Sequence, residues 1–209
     1  MILLIDYGIG NLRSVQKALE AAGATVILSA DPAEIARADQ IVLPGVGAFG
    51  DGMAGLRDGG WVPPLLEAVG RGVPLLGICL GMQLLFERSE EAPGIPGLGL
   101  IPGEVRRFPA DLRDSGGARR KVPHTGWNQL WPLAPSPLLA GLAPGAYVYF
   151  NHAYYCVPLR PDDVLAESDY GLRFAAVVGC GNLFGTQFHP EKSQRVGLRV
   201  LRNFVELGR

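Results

Sequence analysis

One short stretch constrains the rest of this chain: Leu75-Leu76-Gly77-Ile78-Cys79-Leu80-Gly81-Met82-Gln83-Leu84-Leu85. An apolar run ends at Gly77, a cysteine follows, then a second glycine and a helix-like run. The spacing predicts strand, sharp turn and helix, with Cys79 at the turn, the thiol version of a nucleophile elbow. A glycine on either side of the cysteine lets the helix approach the strand where a Cβ would clash. The elbow lifts the sulfur above the strand end, and the N-terminus of the next helix favours thiolate over thiol. It also leaves the Leu80 N–H free to face a developing oxyanion. The chain holds 29 glycines in 209 residues, so Gly-x-Cys-x-Gly is expected by chance roughly 0.06 times. The competing reading is a small buried cysteine at a strand end. The elbow therefore needs a base and an orienting acid elsewhere.

The 209 residues suit a single α/β domain, and no linker or repeat divides positions 1–209. A net charge of −1 argues for neither nucleic acid nor an anionic membrane as partner. Cys79, Cys156 and Cys180 have neither metal-ligand spacing nor a disulfide framework, which points to a reducing cytoplasm. No basic segment precedes the short apolar run Ile2–Ile5, and no run approaches the length of a membrane span. Strands at 2–5, 25–28 and 40–43 alternate with helical patterns at 12–22 and 61–69 and a short helix opened by Asp31-Pro32. This order predicts a parallel sheet with helices on both faces and ligands beyond the C-terminal strand ends. Pro44-Gly45-Val46-Gly47-Ala48-Phe49-Gly50 reads as a glycine-rich loop at such an end. From Ile101 to Gly185 the texture changes to short β-like runs, at 104–108, 147–150, 164–167 and 174–178, with a tight hairpin over 178–183. Gly126-Trp127-Asn128 reads as a turn, and a helix over 194–207 closes the chain.

Of three histidines, His189 is the best candidate base. Pro190 biases it towards an extended conformation, and residues two apart on an extended chain share a face, which sets Glu191 beside the ring. Cys79, His189 and Glu191 then supply nucleophile, base and orienting acid. His124 and His152 read as hydrogen-bonded structural histidines near the site.

Gly77-Ile78-Cys79-Leu80-Gly81-Met82-Gln83 together with His189-Pro190-Glu191 resembles the class I, triad-type, glutamine amidotransferases. Asp6-Tyr7-Gly8-Ile9-Gly10-Asn11-Leu12, Pro44-Gly45-Val46-Gly47-Ala48-Phe49, Pro123-His124-Thr125-Gly126-Trp127-Asn128 and Phe150-Asn151-His152 are similar to one branch of that family. That branch is the glutaminase subunits of imidazole glycerol phosphate synthase. The resemblance implies a three-layer α/β fold with a mostly parallel central sheet and a β-rich second half. It implies that Cys79 attacks glutamine, that Leu80 and Val46 N–H groups form the oxyanion hole, and that Gln83, Gly45 and Tyr154 contact substrate. It implies no metal or redox cofactor. The partner it implies is a (β/α)8-barrel cyclase subunit, docked in a heterodimer over Trp127, Tyr149, Lys192 and Asn11. Two departures stand out: Thr125 where methionine is usual, and Ala153 where a hydroxyl residue is usual, which touches a substrate contact. The rival readings are a peptidase-like or chaperone protein with the same elbow, and a non-catalytic scaffold that docks on a barrel. Glycines at 45 and 47 make the loop able to reorient, so control of the oxyanion donor by the partner is a further expectation.

Overall fold

The structure, a computed structural model, describes residues 1–208. The chain opens with β1 (Ile2–Ile5), α1 (Leu12–Ala21), β2 (Val26–Ser29), a 3-10 turn over Pro32–Arg37 and β3 (Gln40–Leu43). β1 and β3 are buried along their whole length, as aliphatic runs covered on both faces must be. Asp31 accepts the Ala33 N–H at the start of the 3-10 turn, with Pro32 in the first position.

Next come α2 (Phe49–Asp58), α3 (Val62–Gly70), β4 (Leu75–Ile78) and the short α4 (Leu80–Leu84). α2 does not announce itself in the sequence, because Gly50, Gly52 and Gly55 are poor helix formers. Packing explains them. A Cβ on Gly52 would meet the Leu84 and Leu80 methyls at 3.1–3.2 Å, and one on Gly55 would meet the Tyr7 carbonyl oxygen at 2.5 Å. The glycines let α2 press onto α4 and the end of β1.

The second half contains β5 (Phe86–Ser89), β6 (Ile101–Arg107), β7 (His124–Pro132), β8 (Ala146–His152), β9 (Tyr154–Pro158), β10 (Val164–Asp169), β11 (Arg173–Cys180), β12 (Leu183–Thr186) and α5 (Gln194–Leu207). The helix-like run after Cys79 is shorter than its pattern suggests, and Phe86 already belongs to β5. Gly126-Trp127-Asn128 is not a turn but the middle of β7, paired with β8. Strand alternation turns His124 and Leu130 inwards and Trp127 outwards, where it is 46% exposed. Cys156 lies within β9, and Cys180 ends β11 at the hairpin.

Nine strands form one sheet in the order β2-β1-β3-β4-β12-β11-β10-β7-β8. The strands from β2 through β12 in that order are parallel, and the remaining pairs are antiparallel. A smaller sheet holds β5, β6 and β9. α1 and α5 cover one face of the large sheet through Val15, Leu19, Val200 and Phe204. α2 and α3 cover the other through Met53, Leu56 and Leu65. The result is a three-layer α/β architecture. β4 lies between β3 and β12, with Gly77 opposite Leu43 and Ile78 opposite Thr186. The loops leaving the C-terminal ends of these three strands therefore meet. Among the described residues no helix is long and apolar enough to cross a membrane.

Candidate active site

Cys79 sits on that meeting point with φ 54° and ψ −108°. A non-glycine residue held there stores strain of about 1–3 kcal/mol, which only a rigid surrounding maintains. The surroundings are rigid. The Cys79 N–H donates to the Thr186 carbonyl at 2.7 Å. A Cβ on Gly77 would lie 2.6 Å from the Gly81 carbonyl oxygen, and one on Gly81 only 1.9 Å from that of Leu43. Both glycines are thus required by close backbone approach. Leu80 is the first residue of α4, so its N–H has no acceptor within the helix.

His189 follows β12 by three residues, and its backbone N–H donates to the Tyr149 carbonyl at 2.9 Å. Its Nδ1 lies 2.8 Å from Glu191 Oε1, with both side chains at most 3% exposed. The pairing is the expected one, but its geometry is not extended alternation. Residues 190–192 form a 3-10 turn that curls Glu191 back under the ring. Burial alone would lower the His189 pKa. Hydrogen bonds to Cys79 and Glu191, with their charges, outweigh it and push His189 up to about 9. With Nδ1 engaged by the carboxylate, Nε2 is the nitrogen left for the sulfur.

A cavity of about 200 Å³ opens over Cys79, lined by Val46, Leu80, Gln83, Glu91, Tyr154 and His189 among others. Gln83 Nε2 donates to the Tyr154 carbonyl at 3.1 Å and to Gln187 Oε1 at 3.2 Å. Gly45 abuts the site from the β3 loop, where a Cβ would meet Tyr7 Oη at 2.7 Å and Leu80 Cβ at 2.8 Å. Gly47, in contrast, adopts φ +96°. So Gly45 is needed for space, and the left-handed conformation belongs to Gly47. Tyr7 donates its hydroxyl to the Pro44 carbonyl at 2.6 Å, which ties the loop to β1. Burial, followed by the nearby Cys79 sulfur, raises the Tyr7 phenol above its usual range.

Three residues enter the site without a signal in the sequence: Tyr7, Glu91 and Gln187. The Glu91 carboxylate accepts the Phe49 N–H at the start of α2, at 2.8 Å, and also lines the cavity. Gln187 is fully buried, with Nε2 3.8 Å from Cys79 Sγ. Tyr7 follows β1, Gln187 follows β12 and Glu91 follows β5, so each reaches the site only through the packing of separate strands.

His152 Nδ1 lies 2.8 Å from the Tyr154 carbonyl, and His124 is stacked on Tyr170 at 3.9 Å. Burial, and then the Arg120 charge, lowers His124 to about 4. Burial, and then His124, lowers His152 to about 3. Both are neutral members of an aromatic cluster with Phe108, Phe150 and Phe174.

Outside the cavity, Trp127 meets Tyr149 edge-on at 6.0 Å, and Lys192 Nζ lies 5.7 Å over the Tyr149 ring. Asn11 is exposed at the start of α1. Thr125 donates its hydroxyl to Asn151 Oδ1 at 3.1 Å, and the Ala153 carbonyl accepts the Phe108 N–H at 3.0 Å.

The family model for class-I glutamine amidotransferases matches residues 3–207. A protein of Syntrophotalea carbinolica named imidazole glycerol phosphate synthase subunit HisH is 54% identical over 207 residues, covering 99% of this chain and 100% of its own length. The protein of the same name from Moorella thermoacetica is 53% identical, covering 100% and 95%. A crystal structure described as a glutamine amidotransferase superposes with a TM-score of 0.76 at 21% identity, covering 100% of this chain and 99% of that one. The structure of PurLQS from Thermotoga maritima gives 0.72 at 21%, covering 99% and 97%, so these two speak to the fold. With a matched family model across nearly its whole length and full-length relatives above half identity, this chain belongs to the class-I glutamine amidotransferases, in the branch of the HisH subunits.

Proposed function

We propose that this chain hydrolyses L-glutamine to glutamate and ammonia and passes the ammonia to a (β/α)8-barrel cyclase subunit of imidazole glycerol phosphate synthase. The observation that carries this reading is a cysteine on a strained elbow with a buried histidine–carboxylate pair at 2.8 Å beside it. An imidazole raised to about 9 is protonated at neutral pH, so His189 holds the proton that the leaving group needs. Cys79 Sγ attacks the γ-carboxamide carbon of glutamine. The N–H groups of Leu80 and Val46 receive the oxyanion. His189 gives its proton to the departing ammonia, and a γ-glutamyl thioester remains. His189 then takes a proton from water, which cleaves the thioester, releases glutamate and restores the thiolate. Glu191 holds the imidazole and balances its charge. Gln83, Gly45 and Tyr154 hold the substrate, and Glu91 supplies an anion for its α-ammonium group. The chemistry needs no metal or redox cofactor.

Trp127, Tyr149, Lys192 and Asn11 form the face towards the barrel, and residues 1–209 act as one amidotransferase domain in the cytoplasm. The names of the full-length relatives support the assignment to a multi-subunit synthase. Docking of the barrel with its nucleotide ligand is expected to orient the Val46 donor, raising kcat more than it lowers KM. Glutamate release by Cys79→Ser and Cys79→Ala, with partner present, tests the core of this reading. Loss of at least about 10⁴-fold is expected, with turnover of free ammonium by the complex retained. Glutamine-dependent activity near wild type in Cys79→Ala refutes it.

A further inference from the structure

The interior face of the site carries a chain of amides whose direction is dictated by one carbonyl. A backbone carbonyl oxygen only accepts hydrogen bonds, and it has two lone pairs. That of Tyr154 is approached by His152 Nδ1 at 2.8 Å and by the Gln83 amide at 3.1 Å. His152 must therefore carry its proton on Nδ1, and the Gln83 atom facing Tyr154 must be its NH2. The same NH2 group faces Gln187 at 3.2 Å, so Gln187 presents its oxygen to Gln83. The Gln187 NH2 is thereby turned to Cys79 Sγ, at 3.8 Å. Flipping Gln187 would set two NH2 groups against each other and aim a carbonyl oxygen at the sulfur. The backbone is held as well, since the Gln187 N–H donates to the Ala176 carbonyl of β11 at 2.9 Å.

We propose that Gln83 and Gln187 form a directional amide relay, running from the Tyr154 carbonyl to Cys79 Sγ, in which Gln187 donates to the sulfur anion. Gln187 acts as a catalytic residue because it touches the reacting atom, and Gln83 acts as its positioning residue. Both hydrogens of the Gln83 amide are spent inside, so only Oε1 is left to meet glutamine in the cavity that Gln83 lines. Hydrogen bonds to a charged group favour that charged form. His189 and Gln187 then approach the sulfur as two separate donors. Fully buried and outside the cavity lining, Gln187 acts on the thiolate without touching substrate.

This proposal rests on the glutaminase reading but is tested without it. The probe is iodoacetamide alkylation of Cys79 in the intact chain, followed by mass spectrometry from pH 5 to 10. Gln187→Met keeps the volume and removes the donor. Its alkylation at pH 7 is expected to slow by about tenfold, from loss of a hydrogen bond to a charged acceptor, with the profile moved to higher pH. Gln83→Met, which removes the anchor, is expected to give a smaller shift in the same direction. With the barrel partner, Gln187→Met should lower kcat and leave the glutamine KM within about twofold, whereas Gln83→Met should change both. A folded Gln187→Met chain with the wild-type alkylation profile overturns the relay. Should Gln187→Met fail to fold, an unchanged profile in Gln83→Met overturns it instead. A wild-type complex that does not hydrolyse glutamine would refute the proposed function while the alkylation profiles still decide the relay.

Discussion

At the scale of single residues, three side chains are held by contacts with different physical causes. Cys79 is held in a strained conformation by its N–H hydrogen bond to Thr186 and by the close backbone approach that Gly77 and Gly81 allow. His189 is held by a backbone hydrogen bond to Tyr149 and by the carboxylate of Glu191. Glu191 is held by the 3-10 turn, and its second oxygen has no partner among the described residues. A buried carboxylate with one charged partner depends on that partner's charge. In the proposed mechanism His189 transfers protons, whereas Glu191 orients the ring and stabilises its charge. His189→Ala is therefore expected to cost more glutaminase activity than Glu191→Gln. The double variant should be little worse than His189→Ala, because members of one unit are not additive. Steady-state rates of the two single variants and the double, on the complex, check this; losses that multiply would separate the pair into independent groups.

At the scale of elements, the site depends on how closely three strand ends approach. Gly81→Ala would place a methyl 1.9 Å from the Leu43 carbonyl oxygen, on backbone that has no rotamer to give way. A destabilisation of about 3 kcal/mol is expected, the upper range for overpacking, read from the denaturation midpoint. A midpoint unchanged by the added methyl would mean that β3 and α4 are looser than drawn. β7 and β8 carry a different load. Trp127, half exposed and packed edge-on against Tyr149, offers an aromatic anchor that the chain's own core does not use. Trp127→Ala should weaken binding of the proposed barrel partner by about 2 kcal/mol or more while leaving the chain's own melting temperature near wild type. Titration calorimetry showing equal affinity would remove Trp127 from the interface. The same pair of strands touches the triad, since the Tyr149 carbonyl accepts the His189 N–H and its N–H donates to Ser193 Oγ at 2.9 Å.

At the scale of the whole molecule, three histidines give stability a pH optimum. His124 and His152 are lowered by burial to about 4 and about 3, so the folded chain refuses protons that the unfolded chain binds below about 6.5. Each costs about 1.4 kcal/mol of stability per pH unit on descending from 6.5 to its folded value. His189 has the opposite sign. Raised to about 9, it contributes stability that is complete below 6.5 and is lost as the pH rises through 9. The urea midpoint should therefore peak near pH 6.5 and fall on both sides, more steeply on the acid side. His189→Gln should flatten the alkaline fall and leave the acid one. Equal midpoints at pH 4.5 and 6.5 would show that the aromatic cluster admits the charge.

The elbow, the pairing of Glu191 with His189, the alternation of strands and helices and the closing helix were legible in the sequence alone, whereas the 3-10 turn that makes the pairing was not. Each is a local pattern: two glycines around Cys79, one proline after His189, and apolar periods that follow the backbone geometry. β7 was not legible, because Gly126 looks like a turn and Trp127 stands on the strand's outward face, where no partner shows in the sequence. α2 was hidden for a related reason, since its glycines serve the neighbours it packs against rather than its own backbone. Tertiary structure alone brought Gln187, Glu91 and Tyr7 to the sulfur and its cavity. Tyr7 follows β1, Gln187 follows β12 and Glu91 follows β5 of the smaller sheet, so their meeting depends on strand order and on how the two sheets pack. Strand order is a property of long-range pairing, and no short window of residues contains it.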